Sequence, residues 1–147
     1  MTDYEISTDR SRLDVDLIHR FLSEESYWAK GRPREQVERS LEHSLNFGAY
    51  LDGRQVGFAR VVTDRATFAW LADVFVVRDH RGRGVGKQLV EAALAHPELR
   101  DVSRWLLGTA DAHDLYRRYG FRELEAVQRF LAIERGSAAF CGRADVH

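Results

Sequence analysis

Residues 79–89 read DHRGRGVGKQL, with Gly82, Gly84 and Gly86 interleaved among Arg81, Arg83, Val85 and Lys87, directly behind the apolar run WLADVFVV. A strand, a glycine-rich turn and the start of a helix, in that order, aim backbone N–H groups at an anion. Gly84 and Gly86 have no Cβ, so the backbone can come close to phosphate oxygens. The amides of the loop and first helical turn lack intrahelical acceptors, and three cationic side chains surround them. The chemistry on offer is the holding of a phosphate. The competing reading is an exposed basic turn whose glycines serve only to bend the chain.

Two common phosphate loops fail on spacing. A nucleotide loop needs G-x-x-x-x-G-K-[ST]; here Gly82 to Gly86 is one residue short, and Gln88 stands where a hydroxyl for Mg²⁺ belongs. A dinucleotide loop needs G-x-G-x-x-G after a first strand, and this G-x-G-x-G follows several.

The positioning elements follow from periodicity. Tyr4–Ser7 reads as a short strand, and Leu17, Ile18, Phe21 and Leu22 recur at helical spacing, predicting a helix over 14–24. Gly31 and Pro33 interrupt before a second helical stripe over 34–45. Asp52-Gly53 between two β-rich runs predicts a hairpin. Residues 67–77 are apolar enough for a central strand buried on both faces. Val85, Leu89, Val90, Ala93 and Leu94 line the helix behind the glycine loop, which ends before Pro97. A strand over 104–109, a short helix over 111–119 closed by Gly120, and two last strands at 121–124 and 128–134 complete the chain. The fold class is α/β in the α+β sense, helices packed on a mixed, largely antiparallel sheet.

One domain over residues 1–135, followed by a loosely ordered tail over 136–147, fits the length of 147 residues. The formal net charge of −1 argues against a general nucleic-acid binder. Cys141 is the single cysteine, so an internal disulfide and a cysteine metal cluster are both excluded, and no metal is expected. Neither a signal-like apolar segment nor a stretch of ~18 apolar residues occurs, so a cytoplasmic protein without a membrane partner is expected.

The segment Arg81-Gly82-Arg83-Gly84-Val85-Gly86 is R-x-x-G-x-G and closely resembles the acetyl-CoA pyrophosphate loop of the GNAT superfamily of N-acetyltransferases. DAHDLYRRYGF at 111–121 resembles that superfamily's later helix, whose tyrosine, here Tyr116, precedes Gly-Phe by four. The resemblance runs from about Asn46 to Phe121. It implies a sheet of six to seven strands with about four helices. The implied activity is acetyl transfer from acetyl-CoA to a primary amine of a small molecule or peptide, by direct attack in a ternary complex, in a monomer or homodimer. A noncatalytic acyl-CoA-binding domain of the same fold is the alternative.

Residue by residue, the resemblance implies that Arg81, Gly82, Arg83, Gly84, Val85, Gly86 and Lys87 hold the pyrophosphate. Amides of Val74, Phe75 and Val76 are freed by a bulge for the pantetheine arm and the thioester carbonyl. Tyr116 then protonates the departing thiolate: a phenol of pKa near ~10 suits a thiol near ~8.5. Its alternative is to pack with Ala112, Leu115 and Tyr119. Thr109 stands where many members carry an asparagine that touches the cofactor. Asp73, the only charge in 66–77, is a candidate base, because burial raises a carboxylate's pKa. The alternative is an ion pair with an arginine across the sheet, such as Arg60. The helix connection EESYWAKGR (24–32) brings Tyr27 and Trp28, with Glu24 and Glu25, to the acceptor side. Trp28 as a packing residue is the competing reading. His80 is expected to be structural, and His113 a solvated helix residue, with a role as base its alternative.

Overall fold

A computed structural model of the chain describes residues 3–135. Five strands lie in one sheet in chain order: β1 (Glu5–Ser7), β2 (Leu45–Leu51), β3 (Arg54–Thr63), β4 (Phe68–Val76) and β5 (Arg104–Leu107). The first three pairings are antiparallel and β4–β5 is parallel. Helices α1 (Val15–Arg20) and α2 (Arg34–Glu42) follow β1, α3 (Val85–Ala95) joins β4 to β5, and α4 (His113–Arg117) follows β5.

The hairpin is as expected: Asp52 and Gly53 both have positive φ, 52° and 78°, the pair of left-handed residues a two-residue turn requires. β4 is buried along nearly its whole length because both faces are covered. On one side Val85, Leu89, Val90 and Ala93 of α3 join Phe47, Ala49, Val61, Leu71 and Val74. On the other, Ile18, Phe21, Leu22, Val37 and Leu41 of the first helices pack on Phe58 and Phe75. Phe21 stacks on Phe75 with centroids 4.0 Å apart and rings 8° from parallel. Such a pair adds about 0.5–1.5 kcal/mol beyond its buried area.

Two expectations need correction. The helix expected over 14–24 is α1 followed by a π-turn, Phe21–Glu25, closed by Ser26 N–H to the Phe21 carbonyl. Hydroxyls of Ser23 and Ser26 bond back to the carbonyls of His19 and Leu22, which widens the last turn and brings Phe21 over Phe75. Residues 121–124 and 128–134 are not strands, so the described sheet has five strands rather than six or seven. Those residues pair with no described strand, and Leu131 and Ile133 are 97% and 83% exposed, so their β-rich composition finds no face to bury among the described residues. The tail and Cys141 lie outside the described residues. No described helix is long and apolar enough to cross a membrane, and no acidic, histidine or cysteine cluster suited to a metal occurs among the described residues.

Candidate active site

The site begins where two strands part. The β4–β5 ladder runs from Phe68/Arg104 to Leu71/Leu107 and stops, while β4 continues to Val76 without β5 beside it. Its other neighbour shows why. β3 pairs Arg60 with Ala72 and Phe58 with Phe75, leaving Asp73 and Val74 opposite the single residue Ala59. This is a β-bulge, and Asp73 at its centre has φ 52°. A non-glycine residue in this region costs about 1–3 kcal/mol, so surrounding contacts must hold it there.

Those contacts are three donors. Asp73 is fully buried, and its carboxylate accepts from Trp28 Nε1 at 2.9 Å, Arg60 Nε at 2.9 Å and Arg32 Nη1 at 3.1 Å. Burial pushes the carboxyl's pKa up, but the Arg60 and Arg32 charges and the Trp28 and Arg60 bonds outweigh it and hold the group below its ordinary value. A carboxylate so placed is a weak proton acceptor. Asp73 therefore takes the ion-pair alternative, with Arg60 as one partner and Arg32 as an additional one. Arg32 carried no sequence signal except that one buried carboxylate rarely satisfies itself with one partner.

Beyond the bulge the pleat resumes. Val77 N–H bonds to the Val56 carbonyl at 2.9 Å, so alternation directs the Phe75 amide toward β3 and the Val74 and Val76 amides to the edge that β5 has left. Of the three amides expected to be free, Phe75's faces β3. The Val76 carbonyl on that open edge receives Arg81 Nε at 2.9 Å, which ties the glycine loop to the strand.

The loop has the geometry of an anion cradle. Gly82 and Gly84 sit at φ 77° and 82°, a region side chains seldom adopt, and nothing lies within 4 Å of where a Cβ would stand on either. Gly84 is the N-cap of α3, and the first closed bond runs from Gln88 N–H to the Gly84 carbonyl. The amides of Val85, Gly86 and Lys87 therefore have no intrahelical acceptor. Arg83 and Lys87 are exposed beside them. A shallow hollow of about 160 Å³ is lined by Val76, Arg81, Gly84, Gly86, Lys87 and Leu115, bringing α4 to the loop. His80, as expected, is structural: its Nδ1 meets the Tyr4 hydroxyl at 3.0 Å.

Tyr116 lies on α4, and the reason for its spacing to Gly120-Phe121 is now physical. Phe121 N–H bonds to the Tyr116 carbonyl and Gly120 N–H to the Arg117 carbonyl, with Gly120 at φ 96°. That is a Schellman motif with Gly120 at C′. It places Phe121 edge-on to the Tyr116 ring, centroids 5.8 Å apart. The ring is 1% exposed, and its hydroxyl is a buried polar atom without a hydrogen-bond partner among the described residues. Burial first, and the Asp111 charge second, push the phenol well above its usual pKa, so it stays protonated but is a weaker acid than the expected match to a thiol assumed. A hollow of about 450 Å³ against β5 is lined by Tyr116, Thr109, His113, Leu107 and Phe121. The Thr109 hydroxyl oxygen accepts from Ala112 N–H at 3.1 Å, capping α4. His113 is exposed, as expected.

On the far side of Val76 a third hollow, about 250 Å³, is lined by Phe21, Glu25, Tyr27, Trp28, Phe75, Val76, Arg78 and others. Tyr27 is half exposed and stands perpendicular to Trp28. Trp28 is 7% exposed, with its indole N–H committed to Asp73, so it forms a wall of the hollow and also belongs to the core.

A mixed sheet opened at a bulge between two parallel strands, with a glycine loop and helix N-terminus at the opening, defines the GNAT fold. The chain belongs to the Acetyltransferase (GNAT) family, whose model matches residues 15–121. It is 51% identical to a GNAT-family protein of Xanthomonas campestris pv. campestris with a crystal structure, at a TM-score of 0.88, covering 94% of this chain and 96% of that one. It is 32% identical over 144 residues to a Gibberella zeae protein named "Putative acetyltransferase FG08082", covering 82% of this chain and 80% of the relative. A Clostridium acetobutylicum structure described as a predicted acetyltransferase with acetyl-CoA shares the fold at a TM-score of 0.66 and 14% identity, covering 91% of this chain and 96% of that one. The function supported for this chain is that of a GNAT-fold acetyltransferase.

Proposed function

We propose that the protein transfers an acetyl group from acetyl-CoA to a primary amine by direct attack, donor and acceptor being bound together. The observation that supports this best is the Tyr116 hydroxyl, buried and without a partner among the described residues, on α4 beside the end of β5. A buried hydroxyl left unpaired costs about 1–3 kcal/mol, a cost a bound group with a polar atom there would offset. The donor fits the residues present. The amides of Val85, Gly86 and Lys87 with Arg83 and Lys87 would hold its pyrophosphate, and the open edge of β4 its pantetheine arm. Once bound, acetyl-CoA supplies an activated acyl group.

The chain's own residues then divide the work. Val74 and Val76 amides stabilise negative charge developing on the carbonyl oxygen. Tyr116 gives its proton to the sulfur as the carbon–sulfur bond breaks and the carbon–nitrogen bond forms. The amine's proton leaves toward the third hollow. Glu25 is the carboxylate lining that hollow, whereas Asp73 is sealed behind it. Asp73 accordingly acts as a positioning residue rather than as the base.

Calorimetry with acetyl-CoA, CoA and ATP tests the donor assignment. Tight CoA-type binding without ATP binding is expected. A Gly84→Trp variant, forced from φ 82° and carrying an indole into the cradle, is expected to bind at least ~100-fold more weakly, about 2.7 kcal/mol. Absence of CoA binding to the folded wild-type protein would overturn the assignment.

A further inference from the structure

We propose that the acceptor is a small amine that also bears an anionic group, a carboxylate or a phosphate, its ammonium set against Glu25 and its anion against Arg78. This inference rests on the acetyl-transfer reading above and names the acceptor class for the same site.

The hollow beside Val76 is bounded by four aromatic residues, Phe21, Tyr27, Trp28 and Phe75. Its volume of about 250 Å³ lies below the ~300–1,000 Å³ of sites for drug-sized ligands, which favours a small acceptor over a large polycationic one. Three charged side chains line it: Glu25, Arg78 and Arg81. Arg81 is committed through Nε to the Val76 carbonyl. The Glu25 carboxylate and the Arg78 guanidinium are exposed and make no ion pair or hydrogen bond among the described residues. One free carboxylate and one free guanidinium therefore share the rim of an aromatic-walled hollow. Just behind its Trp28 wall stands Arg32, bonded through Nη1 to Asp73. A diamine or polyamine entering here would meet Arg78 and Arg81 with its second charge. A zwitterion would find a partner for each end, and a guanidinium receives a carboxylate or phosphate through paired N–H donors.

Matched acceptors test this: phenethylamine against phenylalanine, ethanolamine against O-phosphoethanolamine, and spermidine as the polycation, each read by CoA release from acetyl-CoA. The wild-type protein is expected to favour the anion-bearing member of at least one pair by ~10-fold or more in kcat/KM. The pair that responds distinguishes carboxylate from phosphate. Arg78→Ala is expected to remove that preference while leaving turnover of the anion-free amine unchanged. Glu25→Gln is expected to lower kcat/KM for both members. Both positions are exposed, so the variants fold, and an unchanged thermal midpoint checks it. Equal turnover within each pair, preference for spermidine, no turnover of any anion-bearing amine, or indifference to Arg78→Ala overturns the inference. Failure of acetyl-CoA to bind at all would be read in the calorimetry and would sink the underlying reading instead.

Discussion

An Asp73→Asn variant is expected to lose about 3–5 kcal/mol of stability, because it leaves two buried guanidiniums facing a neutral amide. Arg60 and Arg32 side chains are 5% and 8% exposed, so water cannot replace the missing charge. For a domain of this length that is a fall of roughly 10–15 °C in Tm, read by thermal or urea unfolding. The loss depends on pH with a definite sign. The folded-state pKa of Asp73 lies below the ordinary value of an aspartate carboxyl. The stabilisation from its charge is thus fully present above the unfolded-state pKa and disappears as pH falls through the folded one. Wild type and variant should differ most near neutrality and converge in acid. A variant of undiminished stability with abolished turnover would instead return Asp73 to the role of base.

Tyr116→Phe is expected to show the opposite signature. Its hydroxyl has no partner among the described residues, so removing it should leave Tm unchanged or raise stability by about 1 kcal/mol. Ring packing on Phe121 is retained, so α4 should also survive, and donor affinity should fall only by the hydrogen bond the hydroxyl gives the bound donor, about 1 kcal/mol. Turnover should fall by ~10²–10⁴-fold, the usual loss when a positioned proton donor is removed. The measurement is kcat beside the calorimetric acetyl-CoA affinity in the same preparation. Unchanged kcat on a true acceptor would dismiss Tyr116 as the acid and leave it a packing residue.

The elements of the proposed donor side were legible in the sequence because they are local. The glycine loop, the strand before it and the helix after it are contiguous, and the Tyr116 to Gly120-Phe121 spacing is one helix cap. The partnership of Asp73 was harder to read. Its donors come from residues 28, 32 and 60, brought together only when the first helices cross the sheet face. Arg60 could be guessed from cross-strand pairing, whereas Arg32 and Trp28 approach from a connection without periodicity. The π-turn was invisible for a similar reason: hydrophobic spacing does not distinguish five residues per closed turn from four over so short a stretch. The C-terminal apolar runs misled because composition can propose a strand but only a neighbouring edge can make one.

Because the five strands pair in the order in which they occur along the chain, each can dock on the one before it. The cleft is different, since it lies between β4 and β5, the last of the described strands, and Tyr116 follows later still. The donor site therefore does not exist until the final part of the sheet has docked. Acetyl-CoA, binding only the completed arrangement, draws that closing step forward by mass action. The C-terminal third of the domain is consequently the part whose opening the ligand suppresses most, and amide exchange in β5 and α4 should slow on CoA addition more than in β2 and β3.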